Sequence, residues 1–248
     1  MNDASHSTDV SDGPTEEPTE QPTEQPGMPS AHSAPLPASP GGVRIDHLIT
    51  SGTFSLDGGT WEVDNNVWLL GNDDECVVFD APHVSAPILA AIGDRRLVAI
   101  LCTHAHDDHI TAVGELRAAT GAPTYLHPAD RVLWDRVYDT PPDRELADGD
   151  ELRVGDVTVR VLHTPGHAPG ACCFVVPELG VVFSGDTLFQ GGPGATGRSF
   201  SSFPTIIDSI TSRLFDLPDE TVVLTGHGGS TTIGAERPAL QDWLDRGH

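Results

Sequence analysis

Residues 97–110 read LVAILCTHAHDDHI, an apolar run that leads directly into three histidines and two aspartates. The apolar half is rich in branched side chains and predicts a buried strand, so the polar residues follow at the end of that strand. His104 and His106 lie two positions apart and would share one face of an extended segment. Asp108 and His109 follow where the chain turns into a predicted helix. One short loop can therefore direct ligands toward two neighbouring metal ions.

Three other apolar runs lead into histidine or aspartate in the same way. The runs and the residues that follow them occupy 157–167 (VTVRVLHTPGH), 181–186 (VVFSGD) and 222–227 (VVLTGH). Because a rigid sheet can hold loops at one rim, we expect these side chains to meet there. Imidazole and carboxylate ligands together suit Zn²⁺, Fe²⁺ or Mn²⁺. A helix-capping aspartate beside surface histidines would explain one such loop, but it explains four of the same kind poorly.

The remaining pattern predicts an α/β fold with mixed sheets. Short apolar runs bounded by Gly, Asp or Pro predict further strands at residues 67–70, 76–79 and 172–176. Helices are predicted at residues 84–92, 108–119, 129–137 and 204–215. No glycine-rich nucleotide-binding motif follows any of the predicted strands, which argues against a dinucleotide-binding fold.

An acidic, low-complexity arm precedes the part of the chain with this pattern. Residues 1–42 carry seven acidic side chains and no basic one, and a Pro-Thr-Glu unit repeats between Pro14 and Pro26. Such a segment cannot bury enough apolar surface to offset the entropy of ordering it, so we predict a disordered tail. Residues 43–248 are long enough for one substantial core and are predicted to form a single domain.

Charge and composition exclude several classes of partner. The formal net charge of the 248-residue chain is −24, and lysine is absent. A protein this acidic repels a phosphate backbone and an anionic membrane surface, so neither nucleic acid nor a membrane is an expected partner. No secretion signal is recognisable, and the four cysteines do not form a disulfide framework, which together favour the cytoplasm. The sequence leaves the oligomeric state open.

The spaced motifs together resemble those of the metallo-β-lactamase superfamily. They are H-x-H-x-D-H at 104–109, T-P-G-H at 164–167, G-D-T at 185–187 and G-H-G at 226–228. Within that superfamily the chain is most similar to the glyoxalase II-like hydrolases, whose Gly-Asp-Thr-Leu-Phe is present at 185–189. The resemblance covers almost the whole chain from residue 44 onward. It implies a four-layer αβ/βα sandwich with two mixed β-sheets and a dinuclear metal site between the sheet edges.

By motif position, the resemblance implies two divalent metal ions, zinc in the first instance and iron or manganese otherwise. The implied ligands are seven side chains: His104, His106 and His167 for the first ion, Asp108, His109 and His227 for the second, and Asp186 as a bridge between them. Asp80, at the end of another predicted strand, matches an acid that orients the ligand loop. Its alternative role is that of a strand-terminating turn residue.

An implied pair of cations would also supply the nucleophile. Two cations about 3.5–4 Å apart can share a water molecule and lower its pKa toward neutrality, which gives hydroxide at pH 7. The hydroxide would attack a carbonyl carbon while one cation polarises the carbonyl oxygen, so no serine or cysteine nucleophile is required. Asp108 is the candidate catalytic residue, because its carboxylate could orient the hydroxide. Arg198, in a glycine-rich loop after Asp186, is the candidate for binding a substrate carboxylate, and its alternative is an ion pair with a protein acid.

The leading interpretation is a metallo-hydrolase like glyoxalase II, which would cleave a small acyl-thiol conjugate to an acid and a free thiol. Full-length glyoxalase II has a C-terminal helical extension with basic residues for glutathione, whereas only 21 residues follow His227 here. Recognition of glutathione in that form is therefore not expected. Another low-molecular-weight thiol, or an ester without a thiol, is the alternative substrate.

Other functions are alternatives on the same fold. A persulfide dioxygenase would use a single iron held by His104, His167 and Asp186, and a lactonase would cleave a cyclic ester. A true β-lactamase is disfavoured, because the common secreted forms have cysteine at the position of Asp186. A non-enzymatic, metal-dependent binding protein is also disfavoured, because all seven ligand positions are intact.

Overall fold

A computed structural model of the chain describes residues 36–247, so the predicted tail lies outside the described residues over positions 1–35. Fourteen strands occur in this part of the chain: β1 (Arg44–Leu56), β2 (Gly59–Gly71), β3 (Glu75–Phe79), β4 (Arg96–Leu101), β5 (Thr124–Leu126), β6 (Arg144–Glu145), β7 (Glu151–Val154), β8 (Val157–His163), β9 (Cys172–Val176), β10 (Val181–Gly185), β11 (Leu188–Phe189), β12 (Gly192–Pro193), β13 (Val222–Thr225) and β14 (Thr231–Thr232). Seven α-helices accompany them: α1 (Ser85–Ile92), α2 (Asp107–Ile110), α3 (Val113–Thr120), α4 (Arg131–Trp134), α5 (Phe203–Ser209), α6 (Ile233–Glu236) and α7 (Leu240–Arg246).

The two large sheets have mixed strand directions, as the sequence predicts. The first sheet has the order β1-β2-β3-β4-β5-β6 and the second β14-β13-β10-β9-β8-β7, while β11 and β12 form a small separate pair. Strands β3 to β6 are parallel to one another, and β10 is parallel to β13. Because parallel strands end at the same edge of a sheet, the loops after β3 and β4 leave together, as do those after β10 and β13.

Three apolar clusters divide the domain into four layers. The cluster between the sheets contains Phe79 and Phe183, whose rings stack with centroids 3.8 Å apart. A second cluster joins the first sheet to α1, α3 and α4, and a third joins the second sheet to α5 and α7. Each sheet thus buries one face against the other sheet and the opposite face against helices. This arrangement confirms the αβ/βα sandwich that the resemblance implies.

Of the four predicted helices, one is confirmed, one is divided, one is shorter and one ends in a π-helical segment. The helix predicted at 84–92 is confirmed as α1. The one predicted at 108–119 is divided into α2 and α3, because the Ala112 N–H donates to Ala81 O at 2.9 Å instead of continuing the helical ladder. The helix predicted at 129–137 is shorter and is represented by α4. The one predicted at 204–215 has its expected length, as α5 followed directly by a π-helical segment at Ile210–Leu214. No helix among the described residues is long and apolar enough to cross a membrane.

The apolar pattern predicts only residues 67–70 of β2 and not the rest of the long hairpin formed by β1 and β2. The two strands pair along their whole length, ending with Leu56 opposite Gly59. The connecting residues have φ values of 53° at Asp57 and 81° at Gly58, the left-handed geometry of a two-residue hairpin turn. Most residues in the outer half of the hairpin are partly or fully exposed. That half therefore lacks the apolar run by which the other strands are recognised.

Residues 36–42, at the end of the predicted tail, contact the domain. The Gly41 N–H donates to Asp156 Oδ2 at 2.7 Å, and the Ser39 hydroxyl donates to Asp156 Oδ1. The Ser39 hydroxyl oxygen in turn accepts the Val43 N–H at 3.0 Å. These bonds attach the segment before β1 to the turn between β7 and β8.

A truncation series should locate the end of the dispensable segment. Removing residues 1–35 is expected to leave the Tm unchanged, because the sequence of that segment cannot build a core. Removing residues 1–42 also removes Ser39 and Gly41 and is expected to lower the Tm by at least about 2 °C. Thermal unfolding measures both, with Asp156→Ala in the full chain as the matched control. Equal Tm values for the two truncations would show that the bonds to Asp156 contribute nothing.

Candidate functional site

Loops from both large sheets bring the seven predicted ligands into one cluster. The loop after β4 supplies four of them and the loops after β8, β10 and β13 supply one each: His104, His106, Asp108 and His109, then His167, Asp186 and His227. Strand β4 belongs to the first sheet and the other three strands to the second, so the cluster lies where the edges of the sheets meet. The side chains of His167 and His227 are 11% and 24% exposed, and the other five residues are buried.

Three imidazole nitrogens of the first predicted set converge on one point. His106 Nδ1 lies 3.0 Å from His104 Nε2 and 3.0 Å from His167 Nε2. The rings meet nearly at right angles, with interplanar angles of 84–85°. Tetrahedral ligands at about 2.0–2.1 Å from Zn²⁺ would be roughly 3.3 Å apart. The spacing of these nitrogens is therefore close to that expected for three ligands of one ion.

The second predicted set converges beside the first. His109 Nε2 lies 3.2 Å from His227 Nε2, and Asp108 Oδ2 lies 3.5 Å and 3.4 Å from these two nitrogens. Asp186 lies between the sets. Its Oδ2 is 3.5 Å from His167 Nε2 and 3.4 Å from His227 Nε2, and its Oδ1 is 3.5 Å from His109 Nε2. Asp186 is thus placed where one carboxylate can face both sets.

Hydrogen bonds on the far sides of the rings determine which nitrogens face the cluster. A ring that donates through Nδ1 presents a lone pair at Nε2. Three histidines donate through Nδ1 to fixed oxygens of the protein: His109 to Asp80 Oδ2 at 2.8 Å, His167 to Ala195 O at 2.8 Å and His227 to Asp64 O at 2.7 Å. Their Nε2 atoms therefore face the other ligands, which is the orientation from which a neutral imidazole binds a metal ion.

The chemistry of the cluster fits divalent cations. Asp186 Oδ1 is buried and receives no hydrogen bond from the described residues, although an uncompensated carboxylate oxygen in the interior is costly. Among residues 36–247, only histidines lie within ion-pair distance of Asp108 and Asp186. Imidazole nitrogen and carboxylate oxygen are the donors that zinc and iron use in proteins. The residues present thus match the metals that the motifs imply.

Burial and neighbouring charges set the protonation of the histidines. Burial, helped by the neighbouring histidines, lowers the pKa of His104 well below its usual value and that of His106 to about 3. Both imidazoles are therefore neutral at pH 7, which is the form that binds metals. At His227, burial lowers the pKa but Asp186 and Asp108 outweigh it and raise the pKa to about 10. A proton held there in the metal-free protein is one that a cation would displace.

Asp80 connects the loop after β4 to the second set. Its Oδ1 accepts the Thr103 N–H at 2.7 Å, and its Oδ2 accepts the Thr103 hydroxyl at 2.7 Å and His109 Nδ1 at 2.8 Å. Asp80 also ends its strand with φ at 61°, a left-handed value that is uncommon outside glycine. The residue therefore fits both roles considered from the sequence.

Two asparagines that the motifs do not identify support the second set. Asn65 Nδ2 donates to Asp108 Oδ2 at 3.1 Å. Asn66 Nδ2 donates to the carbonyl oxygens of Thr225 and Gly228, both at 3.0 Å, and so holds the loop after β13. The available signal in the sequence is a pair of polar residues directly before the apolar run of β2.

A cavity of about 220 Å³ opens beside the cluster. Phe54 and Trp61 of the β1–β2 hairpin line it, together with the loop that contains Arg198. The Arg198 guanidinium carbon lies over the Trp61 ring, 3.7 Å from its centroid, in a cation–π contact. The Ser199 N–H donates to Asp57 Oδ2 at 2.9 Å, which joins this loop to the hairpin turn. Arg198 forms no ion pair within the described part of the chain, and its guanidinium contacts the rings of Trp61 and Phe54.

Known proteins share this fold and part of the sequence. The family model described as metallo-beta-lactamase superfamily matches residues 60–227. A hydroxyacylglutathione hydrolase of Fuscovulum blasticum is 37% identical over 169 residues, and the match covers 66% of this chain and 62% of that protein.

Two solved structures are similar over most of the described chain. The crystal structure of BLEG-1 B3 metallo-beta-lactamase is 32% identical with a TM-score of 0.66, and the match covers 76% of this chain and 97% of that one. The crystal structure of TTHA1623 in a di-iron-bound form is 34% identical with a TM-score of 0.63, covering 76% of this chain and 96% of that one. The similarity therefore extends to sequence as well as fold.

Metal content should respond differently to changes in different ligands. Asp186→Ala removes the carboxylate between the sets and is expected to lower the metal content of both and to abolish turnover. His109→Ala is expected to remove about one ion per chain, since it belongs to the second set only. Elemental analysis of dialysed protein measures both, and His163→Ala, which alters a histidine stacked on His127 outside the cluster, is the control. Wild-type metal content in Asp186→Ala would contradict the bridging position.

Proposed function

The chain belongs to the metallo-β-lactamase superfamily, and from this premise we propose its activity. It is a metallo-hydrolase of the glyoxalase II type, which uses two divalent metal ions to cleave the thioester bond of acyl-thiol conjugates. The observation that carries the proposal is the convergence of seven donor side chains in two sets with Asp186 between them. Zinc is the proposed metal, with iron or manganese as alternatives. Similarity to a hydroxyacylglutathione hydrolase supports the thioester substrate, and similarity to the di-iron-bound protein supports two ions.

Bound divalent cations supply water of lowered pKa and polarise a carbonyl oxygen. The residues of the chain orient the reacting groups. Asp108 Oδ2 is held by Asn65 Nδ2 at 3.1 Å, which leaves Oδ1 to accept a hydrogen bond from the attacking water. Burial raises the pKa of Asp108, but His109 and His227 outweigh it and bring the pKa to about 2. The carboxylate is therefore ionised at pH 7 and can act as the acceptor.

The lining of the cavity favours a substrate with a good leaving group. Outside the cluster, the described lining residues are apolar or aromatic side chains, two serines and Arg198. None of them is a carboxylic acid, tyrosine or lysine that could protonate a departing alkoxide or amide nitrogen. A thiol has a pKa of about 8.5, so a thiolate departs readily without such help. This chemistry supports a thioester over an ester, a lactone or an amide.

Arg198 is proposed to bind an anionic group of the substrate. Its contact with the Trp61 ring holds the planar guanidinium against the cavity wall, so that its N–H groups can face a carboxylate. The chain has no lysine and a net charge of −24. The positive charge of Arg198 beside the cavity would therefore attract an anionic group that the rest of the protein repels.

We further propose a small-molecule substrate and neither nucleic acid nor a membrane as a partner. The cavity of about 220 Å³ suits a small ligand, and the net charge of −24 opposes binding to polyanions. All four cysteines are free and buried, which supports a cytoplasmic location where thiols stay reduced.

Hydrolysis of β-lactams is a second candidate activity, favoured by the similarity to BLEG-1. Opening a lactam ring requires a proton for the departing nitrogen, for which the described cavity lining outside the cluster offers no acid. We therefore propose it as the weaker activity. A persulfide dioxygenase would need only one iron, which would leave the second set without a role.

Direct assays distinguish these activities. The metal-loaded protein is expected to hydrolyse S-D-lactoylglutathione or a related acyl-thiol, measured by the release of free thiol. Cleavage of a chromogenic β-lactam should be negligible, and exhaustive chelation should abolish both activities. The Asp186→Ala variant is the control for a contaminating hydrolase. Efficient β-lactam cleavage without thioesterase activity would favour the second candidate, and oxygen consumption with glutathione persulfide would favour the dioxygenase.

Replacing Arg198 should affect binding more than the chemical step. Arg198→Ala is expected to raise KM and leave kcat largely intact, because the guanidinium contacts a remote anionic group rather than the reacting carbonyl. Loss of one charge-assisted hydrogen bond costs about 1.5–3 kcal/mol, which is roughly ten- to a hundredfold in kcat/KM. Steady-state kinetics with the thioester measure the change, and Arg144→Ala, at an exposed strand residue, is the control. A fall in kcat at unchanged KM would assign Arg198 a different role.

A further inference from the structure

Asp130 is a fully buried carboxylate at the junction between a 3-10 turn, Pro128–Asp130, and α4. Within the described part of the chain, no arginine or histidine forms an ion pair with it. Burial raises its pKa to about 6, against the opposing effect of two backbone N–H donors. Keeping a carboxylate in such a place costs free energy that an apolar side chain would not cost. Packing alone therefore does not explain the residue.

We propose that Asp130 is a positioning residue that holds together the two loops carrying the first set of ligands. Its Oδ2 accepts the Ala105 N–H at 2.8 Å, and its Oδ1 accepts the Gly170 N–H. Ala105 lies between His104 and His106, so its anchored backbone restricts both of these side chains.

The two hydrogen bonds join segments that come from different sheets. Ala105 follows β4 of the first sheet, whereas Gly170 follows β8 of the second and lies three residues after His167. Asp130 itself follows β5, a neighbour of β4. The carboxylate therefore sets the position of His167 relative to His106, whose ring nitrogens lie 3.0 Å apart. Metal affinity is sensitive to the relative positions of the three imidazoles, and the groups that hold the ligand loops fix these positions.

Gly170 permits this close approach. A Cβ at position 170 would lie 2.7 Å from the Asp130 nitrogen and 2.9 Å from Asp130 Cβ and Cγ. The φ of Gly170 lies outside the left-handed region, so space rather than backbone conformation requires glycine here. The close contact thus depends on both residues: Asp130 supplies the carboxylate, and Gly170 has no side chain that would block it.

The carboxylate is also the acceptor for two N–H groups that lie beside the ligands. Both hydrogen bonds are buried. Without Asp130, these donors would lose their acceptor, and satisfying them would require the loops to move. Asparagine is nearly the same size but has one acceptor oxygen, and its amide group would face one of the two N–H donors.

The inference rests on the proposed metal sites, so the experiment measures each set separately. His109→Ala disables the second set and leaves the first as the main Zn²⁺ site, and His106→Ala does the reverse. The Zn²⁺ affinity of each parent is measured by competition with a chromophoric chelator, with and without Asp130→Asn. The Tm of each metal-free protein is recorded alongside.

Asp130→Asn is expected to weaken Zn²⁺ binding by about tenfold or more in the His109→Ala parent. In the His106→Ala parent the expected change is less than about threefold, because the second set is held by Asp80 and Asn65 instead. An equal loss in both parents, with a lower Tm, would assign Asp130 to general stability and overturn the inference. Unchanged affinity in both parents would overturn it as well. A His109→Ala parent that binds no Zn²⁺ would instead refute the proposed metal site, and the inference with it.

Two further variants complete the test. Glu236→Gln alters another buried carboxylate, which accepts the Gly191 N–H at 2.9 Å and the Thr231 hydroxyl at 2.6 Å, and it should leave first-set affinity unchanged. Gly170→Ala keeps the carboxylate but crowds it, and it should weaken first-set Zn²⁺ binding by at least about threefold. This variant decides the question if Asp130→Asn does not fold. Wild-type affinity in Gly170→Ala would count against the inference.

Discussion

Three imidazole nitrogens lie within 3.0 Å of a neighbour at the first set, and two carboxylates face the histidines beside them. In the interior of a protein, closely spaced imidazoles and carboxylates lack the water that would solvate them, which is costly unless they are paired with one another or bind a cation. Several of these side chains are fixed from behind by hydrogen bonds: His109, His167 and His227 through Nδ1, and Asp108 through Asn65. A cation that enters such a site meets ligands that need little rearrangement, which is the basis of tight and selective metal binding.

The two sheets provide the rigid frame for these ligands, and hydrogen bonds at their edges set the final positions. Stacking of Phe79 on Phe183 packs the sheets against each other beneath the cluster. Above this core, the Cys172 N–H donates to Thr103 O at 2.7 Å, a direct backbone link between the start of β9 in the second sheet and the loop after β4 in the first. Asp80, Asn66 and Asp130 add side-chain links at other points of the rim. The seven predicted metal ligands are thus one part of a larger, mostly buried polar network.

The cavity beside the cluster differs in character from the rest of the protein. Its walls are aromatic and apolar, whereas the whole chain has a net charge of −24. Arg198 and any bound divalent cations would make the site locally positive and would attract the anionic substrate that we propose. The hairpin of β1 and β2 supplies Trp61, on which Arg198 lies, and its turn holds the Arg198 loop through Asp57. The same hairpin therefore lines the cavity and positions the guanidinium group of Arg198.

The sequence by itself determines the parts of this protein whose signal is local. An apolar run followed by histidine or aspartate indicates both a strand and the candidate ligands at its end, because neighbouring residues decide both. Helix limits are less well specified, since the Ala112 N–H leaves the helical ladder for a distant carbonyl oxygen. Asn65 acts on a residue 43 positions away and Asp130 on one 40 positions away. Strand order within the first sheet brings the first pair together, and packing of the two sheets brings the second. A hydrogen bond between distant segments produces no periodic pattern along the chain.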